Sequence, residues 1–307
     1  MKERWLMAYF IQLLTVGIAV GFVYALLAAG LVLIYRSSGV LNFAQGYLVM
    51  VGALFIWSFA TWLHLPMVLS IVLGLAGAWL LGMIIERLTV RPLVGQPILS
   101  TIMMTLGLGI VLVGISTLVW GQFGVTYPSK LLPDGIWHLG SITVSQLHVY
   151  SFLIVGAICA GLIFYGRSSK SGLAMQAVAD DTQCARTLGV KVTSILSLVW
   201  ALSVMVAAIG GYIVGNMGSI QVSTMPLFGF KAIAVMMIGG MESLTGVLCG
   251  GLLVGIAEYI ASGYLDPLVV AAGWGGGLKD VFPFLILLIA LLVRPYGFFG
   301  WKRIERV

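Results

Sequence analysis

The chain has 307 residues, of which 16 are Lys or Arg and 10 are Asp or Glu, while 61% are apolar; soluble domains carry about 25% charged and 45–50% apolar residues. With a mean hydropathy of +1.11, this composition excludes an ordinary water-soluble globule. The net charge of +6 sits in short loops and at the chain ends instead of on one basic face, so it gives no reason to expect a nucleic-acid partner.

Between Arg36 and Glu86 nothing ionises at neutral pH except His64, and the stretches 92–129, 135–166 and 192–230 hold no Asp, Glu, Lys or Arg. Each is longer than the about 20 apolar residues a helix needs to cross a bilayer core. In lipid only helices and closed barrels satisfy their own backbone, and the about 10-residue alternating segments of a barrel are absent. The expectation is an all-α, polytopic bundle of about eight to ten spans, interrupted in places, forming one domain over 1–307 with no room for a large soluble appendage.

In chain order, hydropathy predicts spans at 9–35, 41–62, 66–86, 98–120, 147–166, 192–215, 227–241, 246–263 and 281–293. Lys2 and Arg4 ahead of the first run resemble a signal peptide, but the apolar run reaches Tyr35, too long for a cleaved segment, so it is expected to stay in the membrane. Arg87 and Arg91, then Arg167, Lys170, Arg186 and Lys191, then Arg294, Lys302, Arg303 and Arg306 fall on one side if the spans alternate. The excess of basic residues assigns that side to the cytoplasm. The loop 121–146, with Lys130, Asp134, Pro128, Pro133 and Gly135, then faces outward as a turn-rich connection. The same count puts Lys2 and Arg4 outside, against the usual bias, unless the first span breaks near Gly17 and Gly21.

Glycine recurs at small-xxx-small spacing in 17–21, 211–215, 246–250 and 251–255, which lets helix backbones approach closely. Packing inside the bundle is the expected use, a dimer face the alternative. Polar and glycine residues interrupt two segments, RSSGVLNFAQG at 36–46 and GGMESLTG at 239–246. One such segment in each half points to a transport path, where unwound backbone lines a cavity; plain polar loops are the alternative. Cys159, Cys184 and Cys249 are scattered, and His64, His138 and His148 lie in or beside predicted outer loops, so neither a disulfide framework nor a metal site is written. There is no GxxxxGK[ST] loop and no GxSxG elbow; the chain is expected to be no enzyme.

The segment 167–191, RSSKSGLAMQAVADDTQCARTLGVK, lies between two spans on the cytoplasmic side. Its middle, 173–188, is rich in Ala and other helix formers, bounded by Gly172 and Gly189. A short amphipathic helix is expected there. A helix lying on the membrane surface would want larger apolar residues than Ala177, Val178 and Ala179, which favours docking into a partner.

Charges inside a membrane are functional candidates by default. Lys231 stands near the outer end of its span and either snorkels to the interface or meets a substrate carboxylate. Glu258 is deeper and either pairs with a cation in the bundle or lines the path. Asn42 and Gln45, at the first interrupted segment, rank first for lining that path.

The run YALLAAGLVLIYRSSGVLNFAQG at 24–46 resembles the start of the inner-membrane permease subunits of branched-chain amino acid ABC importers. The likeness continues through ERLTVRPL at 86–93, GLAMQAVADDTQCARTLGV at 172–190, GFKAIAVMMIGG at 229–240, GIAEYI at 255–260 and RPYGFFG at 294–300. It implies a multi-pass permease of the bacterial inner membrane. The implied partners are a second homologous permease, forming a heterodimer, two cytoplasmic ATPases and a periplasmic solute-binding protein. This chain would bind no cofactor, ATP and Mg belonging to the ATPases. The family's ATPase-contact motif carries over to Gly172, Ala174, Ala177, Ala179, Asp180, Asp181, Ala185, Gly189 and Val190. One departure is Met241, Glu242 and Ser243, where the family commonly has a Gly-x-Gly-Ser turn. The implied function is inward, ATP-driven alternating access for branched-chain or other apolar amino acids. Urea, short amides and small carboxylates are the alternative solutes. An ion-coupled secondary transporter, using Lys231 and Glu258 as coupling residues, is the more distant rival.

Overall fold

The computed structural model describes residues 2–93, 96–129, 131–139, 142–273 and 275–300; Lys130, Lys302, Arg303 and Arg306 of the charge pattern lie outside them. Every predicted span is a helix: α1 (Lys2–Ser38), α2 (Gln45–Thr61), α3 (Met67–Ile85), α4 (Ile98–Trp120), α5 (Gln146–Ser168), α6 (Lys170–Asp180), α7 (Thr182–Thr187), α8 (Val192–Met217), α9 (Met225–Gly239), α10 (Leu244–Ile260), α11 (Asp266–Ala271) and α12 (Leu278–Val293), with α6, α7 and α11 as short extras. Among the described residues six helical stretches are long and apolar enough to cross a membrane, and α2 and α9 are shorter apolar helices. The chain is a polytopic helical bundle.

The first span is not broken. α1 runs unbroken for 37 residues, about 55 Å at 1.5 Å per residue, because Gly17 and Gly21 serve as contact points instead of hinges. A Cβ on Gly21 would lie 2.6 Å from the Gly251 carbonyl oxygen, and one on Gly17 2.9 Å from that of Gly255. α1 and α10 thus cross backbone to backbone, and both glycine pairs are used inside the bundle.

The helices touch in matched pairs. α1 lies on α10 as α8 lies on α3; α2 packs on α8 as α9 packs on α1; α2 meets α3 as α9 meets α10; and α4 flanks α2 as α12 flanks α9. Both α3 and α10 close with a turn of π helix, Glu86–Val90 and Ala261–Leu265. α1 ends beside the basic loops, at Arg36, whereas α8 starts there, after Lys191. The helices α1–α4 and α8–α12 therefore form two repeats of opposite direction, joined by α5–α7, the inverted arrangement found in many transporters.

This symmetry relocates the second interruption. After α1 the chain turns back in 39–44 and starts α2 well inside the bundle: a Cβ on Gly30, eight residues before Ser38, would meet the Gln45 amide nitrogen at 2.8 Å. Its counterpart is 218–224, between α8 and α9, not 239–246. The latter is a tight turn in which Gly240 has φ +106° and the Ser243 hydroxyl accepts the Gly246 N–H at 2.9 Å. The two short helices meet at their N-terminal ends, where Gly46 packs against the Pro226 carbonyl and Gly229.

On the face opposite the basic loops, Trp57, Trp62 and Trp120 form a cluster, with Trp62 stacked on Trp120 at 6.1 Å. Such aromatic groups suit a membrane interface. The connection 121–145, expected as plain turns, contains a hairpin of β1 (Ile136–Leu139) and β2 (Ile142–Ser145). It also closes over the second re-entrant segment: Val125 pairs with Ile220, and the Tyr127 hydroxyl donates to the Ala53 carbonyl at 3.2 Å. Burial pushes the Tyr127 phenol well above its ordinary range, which keeps it a neutral donor.

Candidate functional site: the re-entrant seam and its charged flank

At the first re-entrant segment, the Asn42 side-chain oxygen accepts the Ala44 N–H at 3.0 Å, and its amide donates to Gln45 Oε1 at 3.2 Å. This Asx turn lets six residues reverse direction before α2 begins. Ser203 of α8 also donates to Gln45 Oε1, at 3.3 Å, while Gln45 Nε2 has no partner among the described residues. Asn42 and Gln45 are both fully buried. They form a polar seam across the middle of the bundle, beside the Gly46–Pro226 crossing. An unpaired buried amide costs about 1–3 kcal/mol, so this group gains when the seam opens to water or solute.

Cavities lie on either side of that seam. One, of about 280 Å³, opens among the basic loops and is lined by 36–41, Val90, Leu93, Thr101, Val178, Ala179 and Thr182. The other, of about 400 Å³, lies on the opposite face between α1, α8, α9 and α12, and includes Tyr24, Phe228, Lys231, Lys279 and Asp280.

Lys231 does not snorkel. Its ammonium is buried and bridges two carboxylates, Glu258 Oε1 of α10 at 2.8 Å and Asp280 Oδ1 of α12 at 2.9 Å. Tyr24 of α1 donates to the same Glu258 oxygen at 3.2 Å. Lys231 therefore ties α9 to two neighbours, and Glu258 has found its cation within the bundle. The sequence reading missed Asp280, Tyr24 and Ser203. Asp280 carried a signal, since the LKD triplet sits at the head of the last span on the side poor in charge.

A second buried acid, Glu86, closes α3. It receives Arg91 through Nε at 3.2 Å and Nη2 at 2.9 Å, and the Ser197 hydroxyl of α8. Because Glu86 is fully buried, this pairing fixes the start of α8 against the end of α3.

The segment 173–188 is two helices instead of one. Asp181 adopts an extended conformation, φ −153° and ψ 107°, and its carboxylate accepts the N–H groups of Gln183 and Cys184 at 2.8 and 2.9 Å. It is an N-cap, and an N-cap residue stands outside the helix it starts. Gly189, at φ +85°, ends α7 in the left-handed conformation, with the Val190 N–H returning to the Ala185 carbonyl at 3.0 Å. Gly172 packs on the end of α5, where a Cβ would lie 2.5 Å from the Tyr165 carbonyl oxygen. Ala185 is buried with Val178, Val192 and Leu196. Ala174, Ala177 and Ala179 are half-buried, and Asp180 and Asp181 are exposed. Leu173 and Leu188 project outward, 61% and 76% exposed. The motif thus forms a folded knob seated on α8 whose outer surface is uncovered.

A family model described as branched-chain amino acid transport system / permease component matches residues 13–291. The LivH protein of Salmonella typhimurium strain LT2, named a high-affinity branched-chain amino acid transport system permease protein, is 29% identical with all of both chains covered. BraD of Pseudomonas aeruginosa, named likewise, is 29% identical over 97% of this chain and 98% of that protein. Among solved structures, a chain of PsaBC from Streptococcus pneumoniae in complex with Fab shares the fold at a TM-score of 0.50 and 15% identity, covering 97% of this chain and 98% of that one. With the family model spanning the re-entrant seam, the knob and both repeats, the chain belongs to the branched-chain amino acid transport permease family.

Proposed function

We propose that the chain is the membrane subunit of an ATP-driven importer of branched-chain amino acids, supplying half of the translocation path and no bond chemistry. It works with a second homologous permease, two cytoplasmic ATPases that hold ATP and Mg, and a periplasmic solute-binding protein, in a bacterial inner membrane. The observation that carries this reading is the pair of cavities on opposite faces, separated by a closed polar seam at the junction of two inverted repeats.

That geometry supports alternating access. The basic-face cavity is walled by the knob on one side and by 37–41, the approach to Asn42, on the other. A partner that pushes α6 and α7 acts on α8 through the contact of Val178 and Ala185 with Val192 and Leu196. Ser203, further along α8, holds Gln45, so moving α8 loosens the seam. The N-termini of α2 and α9 converge there, and the partial positive charge at helix starts favours a passing carboxylate. Asn42 and Gln45 line the opened path, whereas Lys231 and Glu258 hold its flank together.

Deleting the gene in a leucine-requiring strain tests this reading. Uptake of labelled leucine at micromolar concentration is expected to fall at least tenfold and return with the plasmid-borne chain. Unchanged uptake of leucine, isoleucine and valine refutes it.

A further inference from the structure

We infer that the cavity opposite the basic loops is a binding subsite for the zwitterionic head of a free α-amino acid, with Lys279 receiving the carboxylate and Asp280 the ammonium group. This deepens the proposed transport function and rests on it.

The cavity measures about 400 Å³, within the about 300–1,000 Å³ of small-molecule sites. Its walls divide by chemistry. Val20, Val214, Leu227 and Phe228 make an apolar side, and the head of α12 makes a charged one. Lys231 lines the cavity too, but its ammonium already serves Glu258 and Asp280. Lys279 is different: its ammonium lies 4.6 Å from the centre of the Tyr259 ring and 3.3 Å from the Tyr259 hydroxyl, and it makes no ion pair among the described residues. A half-buried lysine held by an aromatic face and one hydroxyl retains donors for an incoming anion.

Asp280 complements it. One oxygen meets Lys231, and the side chain is 66% exposed, so the carboxylate keeps acceptor capacity toward the cavity mouth. Lys231 anchors Asp280, the buried Glu258 anchors Lys231, and the Tyr24 hydroxyl anchors Glu258. The four charges, Lys231, Lys279, Glu258 and Asp280, sum to zero. A site of this kind favours a ligand with one charge of each sign over a simple anion or cation, because either alone leaves one protein charge unmatched. The aliphatic side chain of such a ligand then lies on the Val20–Phe228 side.

The test uses the full chain in phosphatidylcholine nanodiscs, with leucine binding read by saturation-transfer NMR. Its probes are leucine, 4-methylpentanoate, which lacks the ammonium, and isoamylamine, which lacks the carboxylate. Lys279→Gln is expected to weaken leucine and 4-methylpentanoate at least tenfold while isoamylamine binds as well as or better than before. Asp280→Asn is expected to weaken leucine and isoamylamine while 4-methylpentanoate binds as well as or better than before. A misfolded variant loses all three probes together, so crossed losses come only from the charges. A phosphatidylethanolamine headgroup offers the same charge pair. In a second disc set containing it, loss of the leucine signal assigns the site to lipid and overturns the inference, as does equal leucine binding by wild type and both variants. If wild-type cells import no leucine yet the crossed losses appear, the transport reading fails while the subsite stands; the reverse result separates them in the other direction.

Discussion

Replacing Lys231 by Met leaves Glu258, a fully buried carboxylate, with the Tyr24 hydroxyl as its remaining hydrogen-bond partner among the described residues. Breaking a buried pair from one side costs about 3–5 kcal/mol, because the other charge stays desolvated and unmatched. Replacing both members by neutral groups removes that penalty. The double variant Lys231→Met with Glu258→Gln should therefore return to within about 1–2 kcal/mol of wild type. Asp280 is the internal control: its side chain is 66% exposed, so losing its ion pair by Asp280→Asn should cost about 0–1 kcal/mol. The assay is unfolding in mixed micelles by titrated dodecyl sulfate, followed by the fluorescence of the nine tryptophans. A double variant as unstable as Lys231→Met, or an Asp280→Asn cost equal to it, would refute the assignment of the penalty to Glu258.

Three further outcomes are expected. Gly251→Leu forces apart the α1–α10 crossing, where a Cβ would already lie 2.5 Å from the Gly21 carbonyl oxygen; it should cost about 1–3 kcal/mol or more in the same titration, whereas Gly107→Ala on α4, which meets open space, should be neutral or stabilising. Asp181→Ala removes the acceptor for two N–H groups and should cost about 1 kcal/mol locally, raising the ATP hydrolysed per leucine imported, while Asp181→Asn keeps the cap and the coupling; an Asn variant as uncoupled as Ala would show that the charge, not the cap, is what the partner reads. Gln45→Leu removes the acceptor that the Asn42 amide and the Ser203 hydroxyl share and leaves both buried donors unpaired, so the bundle should lose about 1–3 kcal/mol while leucine uptake falls tenfold or more; unchanged uptake would remove Gln45 from the path.

Hydropathy alone located every long helix, because charge-free runs longer than a bilayer leave few alternatives. The turn chemistry was less visible. Asp181 in ADDTQC is an N-cap residue type, but the flanking helix formers hid the break it makes. The re-entrant segment 218–224 was missed for a related reason: GSIQVSTMP reads as an ordinary outer loop, and its return into the bundle is set by the Gly46–Gly229 approach, a contact between distant parts of the chain. The inverted repeat is recorded in which backbones touch, not in matching residues, so only the pair of interrupted segments, one in each half, hinted at it, and the second was placed at 239–246 instead of 218–224. For the charges, Lys231 and Glu258 stood out by their positions in apolar runs. Their union depended on helix register, and Lys279 and Asp280, in the first turn of α12, fall just ahead of the predicted span 281–293.

Uptake by proteoliposomes tests the central claim most directly. They would contain this chain with the proposed partner permease and ATPases, with the proposed solute-binding protein outside and ATP inside. The account predicts labelled leucine accumulation that requires ATP and the binding protein and is unaffected when the proton and sodium gradients are collapsed. Accumulation by this chain alone, driven by an ion gradient without ATP, would contradict it and return Lys231 and Glu258 to the role of coupling residues.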